Sequence, residues 1–106
     1  AAVHGYRRIM IRHTVLLEFH EGTDDAAIDA IVDALTKLPA RISTIRTYRV
    51  ARDLSLAPDN ADLVIQGDFD DLDGYVTYRD HPEHRAIIET QILPILAGRS
   101  AAQIEI

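Results

Sequence analysis

The chain has 106 residues, 47% of them hydrophobic and 26% charged, a composition typical of one globular domain and not of a disordered segment. Its 17 acidic and 11 basic residues give a net charge of −6, which argues against nucleic-acid and acidic-membrane partners, because both bind a concentrated basic face. The lack of cysteine excludes disulfides and thiolate metal sites, and without a signal peptide or a run of roughly 18 apolar residues the chain is expected in the cytoplasm.

The first predicted strand follows an irregular N-terminal stretch. Residues 1–9 show no regular pattern and are interpreted as an extension or an expression remnant, so the predicted domain covers residues 10–106. From Arg12 to Phe19 the residues alternate as in a strand. One face of this strand carries His13, Val15, Leu17 and Phe19. The other face includes Leu16, so both faces are partly apolar.

A helix and two further strands are predicted next. Thr23 or Asp24 is suited to cap a helix, and apolar residues then recur at helical spacing until Pro39 stops the pattern. A second strand is predicted from Ser43 to Ala51, where β-branched and aromatic residues are enriched. A third is predicted from Asp62 to Phe69, around a run of three aliphatic residues.

The C-terminal part predicts a broken helix and a last strand. An aspartate of the pair at residues 70–71 caps a short helix that runs through Tyr78. Pro82 marks the start of the next helix, because proline lacks an N–H that the first turn leaves unpaired in any case. This helix is predicted to reach about Leu93, and the polar–apolar alternation at residues 103–106 predicts the fourth strand.

The order of these elements, βαββαβ, is that of a ferredoxin-like α+β fold with a four-stranded antiparallel sheet. Helices in this arrangement cover one face of the sheet. Strands one and three carry apolar side chains on both faces, and burying a leucine or isoleucine is worth about 1.5–3 kcal/mol. The sequence therefore predicts a homodimer in which two sheets pack face to face.

His84 is the most informative polar residue of the sequence. It follows His81 by three residues across Pro82, and its helical spacing to Ile88 puts it on the apolar side of the predicted helix. One interpretation is a structural imidazole that is hydrogen-bonded to the backbone or to Tyr78. The other is a neutral base in an apolar pocket, where burial and the positive helix end both disfavour protonation. The sequence leaves both interpretations open.

The chain resembles the stress-responsive A/B barrel family in a combination of motifs. They are His13 early in the first strand, the junction Phe69-Asp70-Asp71-Leu72, and the spaced string Tyr78-x-x-His81-Pro82-x-His84. The resemblance spans Met10–Ile106. It implies a dimeric α+β barrel, in agreement with the two-sided strands.

That family includes plant stress proteins and a plant polyketide cyclase that closes a linear tetraketide by aldol condensation. The resemblance to the cyclase implies that His84 is a general base, that Tyr78 supplies a supporting hydroxyl and that His13 lines the pocket. Two positions depart from the pattern. Ala51 stands where the family often has glycine, and Leu63 stands where the cyclase has a histidine, so the cyclase's substrate is not carried over.

The leading hypothesis for function is a protein that binds a small apolar carbonyl compound beneath its helices and catalyses an aldol-type ring closure. In this hypothesis His84 removes a proton alpha to the carbonyl, and Tyr78 hydrogen-bonds the developing enolate or orients His84. The dry wall of the pocket is predicted to consist of Val15, Leu17 and Ile88. His81 is considered both as a helix-junction residue and as a contact to the ligand.

Two alternatives stay open beside this hypothesis. One is a non-enzymatic, stress-associated or ligand-holding dimer in which the histidines are structural, and the other is a cofactor-free monooxygenase. No cofactor is predicted. No metal is predicted either, because no acidic residue clearly accompanies the histidines and His-x-x-His across a helix start is not a zinc signature.

Overall fold

The chain forms an α+β fold. The computed structural model describes residues 9–106, so only Ile9 of the extension predicted at residues 1–9 lies within the described part. The predicted βαββαβ order is confirmed, with its second helix divided at His81. The helices and strands, in chain order, are β1 (Ile11–Phe19), α1 (Asp25–Thr36), β2 (Ile45–Arg52), β3 (Leu63–Phe69), α2 (Leu72–Asp80), α3 (Pro82–Ile87) and β4 (Leu96–Glu105).

The four strands form one antiparallel sheet in the order β2-β3-β1-β4. The register places Val15 of β1 between Ile65 of β3 and Ala101 of β4. Because side chains alternate along a strand, the odd-numbered residues of β1 share one face. From His13 to Phe19 these residues are at most 5% exposed, which confirms the face predicted for this strand. We call it the inner face of the sheet.

The helices cover the inner face. Asp24 caps α1, since its side chain accepts a hydrogen bond from the backbone N–H of Ala26. Helix α1 ends at Thr36, earlier than the sequence predicts, and Pro39 lies in a short 3₁₀ turn at Leu38–Ala40. The residues that α1 buries against the sheet are those of the predicted apolar stripe, Ile28, Ile31 and Leu35.

Helices α2 and α3 begin where the sequence predicts but end differently. Asp71 caps α2 by accepting a hydrogen bond from the backbone N–H of Gly74 at 2.8 Å. Pro82 is the first residue of α3. The helix predicted to reach Leu93 instead changes to a π-helical turn at Ile88–Ile92, a geometry that widens the helix and is common near functional sites. Within residues 9–106, none of the helices is both long enough and apolar enough to cross a membrane.

The last strand is longer than the sequence predicts. It starts at Leu96, not near residue 103, and pairs with β1 along nearly its whole length. Gly98 and the small residues at 100–102 favour a loop in the sequence, because they have low strand propensity. Pairing with β1 overrides this preference, since it supplies partners for the backbone N–H and C=O groups. The prediction of a strand confined to residues 103–106 is therefore wrong.

The opposite face of the sheet, which we call the outer face, carries no helix. Arg12 and Asp68 lie opposite each other there and form a two-pronged ion pair, with N–O distances of 2.8 and 2.9 Å. Leu16 and Ile104 share this face and stay 40% and 56% exposed. The outer face is thus a mixture of exposed apolar side chains and paired polar ones, as the two-sided pattern of β1 predicts.

Candidate functional site

A cavity of about 300 Å³ lies between the inner face and the helices, and we call it the inner pocket. Its wall comes from three strands and all three helices, and most of it is apolar. Six of the seven predicted site residues line it: His13, Val15, Leu17, Tyr78, His84 and Ile88. The other lining residues are Leu35, Ile65, Tyr75, Arg79, Arg85, Ile92, Leu93, Leu96 and Arg99.

His84 is held by the end of helix α2. It is the third residue of α3, and its Nδ1 lies 3.0 Å from the carbonyl oxygen of Arg79. A carbonyl oxygen only accepts, so Nδ1 carries the hydrogen and Nε2 keeps its lone pair. Burial lowers the pKa of His84 below the ordinary 6.5, against the opposing effect of the Arg79 carbonyl. At neutral pH the ring is therefore uncharged and Nε2 is a base.

Tyr78 lies against this base. Its ring stacks on that of His84 with 4.2 Å between centroids, and its hydroxyl oxygen lies 2.8 Å from the hydroxyl oxygen of Tyr48. Burial raises the pKa of Tyr78 to about 12 and also raises that of Tyr48, so both phenols are protonated at neutral pH. One of the two hydroxyl hydrogens forms the hydrogen bond between them. The other hydroxyl hydrogen can be donated to a further acceptor.

A glycine makes room for this pair of tyrosines. Gly67 of β3 lies directly opposite Tyr48 of β2 in the sheet. A Cβ atom at residue 67 would stand only 3.0 Å from Cδ1 of the Tyr48 ring. The absence of a side chain at this position therefore lets the tyrosine ring approach the sheet and fixes where its hydroxyl meets Tyr78.

His13 is a hydrogen-bond donor, whereas His84 is a base. The side-chain amide of Gln103 on β4 donates to its Nδ1 at 2.8 Å, so the hydrogen of the neutral ring is on Nε2. Burial lowers the pKa of His13 to about 4, and the positive charge of Arg99 acts in the same direction. The ring packs against Tyr75 and Tyr78, at centroid distances of 5.1 and 6.1 Å. It is therefore a neutral N–H donor at neutral pH.

The inner pocket thus combines a basic nitrogen on His84, an N–H donor on His13 and a protonated phenol on Tyr78. A base beside hydrogen-bond donors in an apolar cavity is suited to removing a proton from a carbon next to a carbonyl, because the donors stabilise the negative charge that develops on oxygen. The aliphatic side chains of the wall keep this charge away from water.

His81 is placed elsewhere. Its Nδ1 accepts a hydrogen bond from the backbone N–H of Glu83 at 3.1 Å, so it caps helix α3, and it does not line the inner pocket. The structure therefore gives it the helix-junction position that the sequence considered beside a ligand contact. Among residues 9–106, no group of three or more histidine, aspartate or glutamate side chains is arranged to hold a metal ion.

The sequence profile of the stress-responsive A/B barrel domain matches residues 11–106, nearly the whole described part. The chain belongs to the stress-responsive A/B barrel family. The resemblance carried by His13, the Phe69–Leu72 junction and the Tyr78–His84 string is thereby confirmed.

The chain is also similar to individual proteins in sequence or in fold. An uncharacterized protein of Streptomyces coelicolor is 34% identical over 79 residues, which cover 73% of this chain and 81% of that protein. A crystal structure of a dimeric ferredoxin-like protein from Thermobifida fusca is 37% identical, with a TM-score of 0.85 and 92% of each chain covered. Hydroxynitrile lyase from Passiflora edulis has a TM-score of 0.80 over 92% of this chain and 94% of its own, and at 14% identity it shares the fold alone.

Four residues in or beside the candidate site of this A/B barrel chain are not found by the sequence reasoning. Tyr48 lies on a predicted strand, but the register shifts between residues 45 and 47. The alternation of side chains therefore does not predict which face of the sheet carries Tyr48. Gln103 lies in the predicted last strand, and its register opposite His13 is the signal that finds it. Arg99 lies in the part of the last strand that precedes the predicted residues 103–106. For Tyr75, which lies on a predicted helix, the pattern gives no signal beyond an aromatic side chain.

Proposed function

We propose that this A/B barrel chain binds a small apolar carbonyl compound in the inner pocket and that His84 removes a proton alpha to the carbonyl. The observation that carries the proposal is the tautomer of His84. Its Nδ1 is bonded to a backbone carbonyl, its pKa is lowered by burial, and it lines an apolar cavity. A neutral imidazole with a free Nε2 lone pair is a suitable base for this reaction at neutral pH.

An aldol-type ring closure follows from the same arrangement. The electron pair of the C–H bond moves to the carbonyl oxygen as Nε2 of His84 takes the proton. The hydroxyl of Tyr78 and the N–H of His13 hydrogen-bond the enolate oxygen. The enolate carbon attacks a second carbonyl of the same molecule, and the proton on His84 passes to the new alkoxide. The aliphatic side chains of Val15, Leu17 and Ile88 line the pocket and exclude water from the reaction.

The first step is testable without knowing the natural substrate. In D₂O, removal of a proton alpha to the carbonyl of 2-octanone replaces hydrogen by deuterium, which NMR follows as a loss of the α-proton signals. We expect the wild-type protein to accelerate this exchange above the buffer rate. We expect His84→Ala to abolish the acceleration, because no other basic nitrogen replaces Nε2.

His20→Ala is the matched control, because His20 is an exposed histidine that does not line the inner pocket. It should exchange 2-octanone at the wild-type rate. An acceleration that survives in His84→Ala, or that is lost equally in His20→Ala, would contradict the assignment of His84 as the base.

We further propose that two copies of the chain pack through their outer faces. Two observations support it: Leu16 and Ile104 are exposed on a helix-free face, and the Thermobifida fusca relative is described as dimeric. Sedimentation at micromolar concentration should give the mass of two subunits. Leu16→Lys should give one subunit, and the control Ala30→Lys, which adds the same charge on the exposed side of α1, should give two.

A stable single wild-type subunit would contradict this dimer, and so would a Leu16→Lys variant of unchanged mass.

A second candidate function is a ligand-holding dimer whose histidines are structural. It is favoured by one observation: within residues 9–106, every buried side-chain nitrogen and oxygen atom has a hydrogen-bond partner. Polar groups that are all satisfied stabilise a core without any chemistry. This function predicts that 2-octanone binds without α-proton exchange and that His84→Ala and Tyr78→Phe chiefly lower the melting temperature.

A further inference from the structure

The charged residues that line the inner pocket are all positive. Among the residues that line it, Arg79, Arg85 and Arg99 are positive and none is acidic. The whole chain carries a net charge of −6, so a random choice of surface would include carboxylates. An exclusively cationic lining in an acidic protein favours a ligand that carries negative charge, because such a lining attracts and concentrates anions.

Two of these arginines already have partners. Arg79 makes a two-pronged ion pair with the neighbouring Asp80, at 2.9 and 3.0 Å. Arg85 lies 3.4 Å from Glu89, one turn further along the chain. Arg99, by contrast, has no carboxylate partner among the residues that the structure describes. It is the pocket arginine whose guanidinium is left for a ligand.

The sheet register places Arg99 on the inner face, in the wall of the inner pocket. It lies directly opposite Leu17, an inner-face residue of β1 that also lines the pocket. Side chains directly opposite in an antiparallel pair project from the same face, about 5 Å apart at Cβ. Its charge also acts on His13 and Tyr78: it adds to the lowering of the His13 pKa by burial, and it opposes the rise in the Tyr78 pKa that burial causes. Arg99 therefore lines the same pocket as the groups that we assign to the reaction, and its charge reaches two of them.

We propose that Arg99 binds a carboxylate group of the ligand, so that the compound taken by the inner pocket is a small apolar oxo acid. This inference rests on the proposed function and adds a substrate class to it. A guanidinium presents a planar pair of N–H donors that matches the two oxygens of a carboxylate. The aliphatic wall then takes the carbon chain, and the oxo group lies toward His13 and His84.

The size of the pocket limits the ligand. A volume of about 300 Å³ is at the low end of the range of about 300–1,000 Å³ for ligand sites. A chain of about eight carbons with one carboxylate is a suitable probe at this scale. Octanoate and octanol share the same apolar chain and differ in the charge at its end, so their comparison isolates the contribution of the anion.

The test is calorimetric titration of the whole protein with octanoate and, separately, with octanol. The wild-type protein should bind octanoate about tenfold more tightly than octanol, the factor expected of one charge-assisted contact. Arg99→Gln should lose that preference while its affinity for octanol stays unchanged. Lys37→Gln removes the same charge from an exposed lysine outside the pocket and should keep the preference.

Each failure has its own meaning. If octanol and octanoate bind equally well to the wild-type protein, or if Arg99→Gln keeps the preference, the carboxylate assignment is overturned and the proposed carbonyl-binding function stands. If neither compound binds, both the carboxylate assignment and the proposed function are overturned, because the pocket then does not take apolar chains of this size.

Discussion

The two faces of the sheet differ in what they do with polar groups. On the inner face, His13 is buried as a neutral ring among aromatic side chains, and its pKa is lowered to about 4. On the outer face, the paired charges of Arg12 and Asp68 keep the carboxyl pKa low, so that both stay ionised. Burial therefore shifts the pKa of His13 on the inner face, and charge pairing shifts the pKa of Asp68 on the outer face.

In the proposed function, the inner face carries the reaction and the outer face carries the dimer contact. Because successive residues of β1 point to opposite faces, Leu17 belongs to the pocket while its neighbour Leu16 belongs to the proposed dimer contact. Mutations at these adjacent positions therefore probe the two faces separately. Three pairs of variants test whether the separation holds.

The largest difference is expected between two leucines. Leu17→Ala removes a side chain that is 2% exposed and should lower the free energy of unfolding by about 2–5 kcal/mol. The loss should be the same at every protein concentration. Leu16→Ala acts on a side chain that is 40% exposed in the subunit, so its effect should be smaller and should depend on concentration, because it acts through association. Urea unfolding at two protein concentrations measures both.

Equal, concentration-independent losses for Leu16→Ala and Leu17→Ala would break the distinction between the two faces.

The second difference concerns pH. The pKa of His13 is ordinarily 6.5 and is about 4 in the folded protein, so acid protonates the unfolded chain first and favours unfolding. The free energy of unfolding should fall by about 2 kcal/mol as the pH falls from 6.5 towards 4.5. His84, whose pKa is lowered as well, adds to this loss. The contribution of Asp68 persists in that range, because its lowered pKa lies below 3.8.

Urea unfolding at about pH 7.5 and about pH 4.5 separates the two faces. His13→Gln should reduce the difference in unfolding free energy between the two pH values. Asp68→Asn should leave that difference nearly unchanged, although it lowers stability at both values. A pH difference that is insensitive to His13→Gln would show that inner-face histidines do not titrate as described.

The smallest difference concerns single hydrogen bonds. Tyr48→Phe removes the bond to the buried hydroxyl of Tyr78 and should cost about 1 kcal/mol of stability, because a buried hydroxyl loses its partner. Thr14→Val removes a longer bond, 3.2 Å from Gln66 on the outer face, between two side chains that are only partly buried in the subunit, and should cost less. Thermal unfolding monitored by circular dichroism measures both, and a larger loss for Thr14→Val would reverse the ranking.

Much of the fold follows from local sequence patterns. The buried face of β1, the apolar stripe of α1 and the start of α3 at Pro82 depend on residues close together in the chain, so their spacing predicts them. Strand β4 does not follow from its own residues. Its small side chains carry little strand preference, and its extent is set by pairing with β1, about 85 residues earlier in the chain. The residues of β4 alone therefore do not predict that pairing.

The candidate site also has a part that local sequence predicts and a part that depends on distant strands. The motif around Tyr78 and His84 predicts that these side chains lie together, because both residues lie on neighbouring helices of one segment, but it does not predict that their rings stack. The partners that fix hydrogen positions come from distant strands, with Gln103 on His13 and Tyr48 on Tyr78. Their positions depend on register, which the sequence pattern does not give.

The most direct test of the account is the pH dependence of α-proton exchange of 2-octanone, measured between about pH 5 and about pH 8 with the buffer rate subtracted. Since the neutral form of His84 is the base and its pKa is lowered, the rate should rise with pH and level off, with a midpoint below 6.5. A midpoint at or above 6.5, or a rate that does not depend on pH, would contradict a buried neutral His84 as the base.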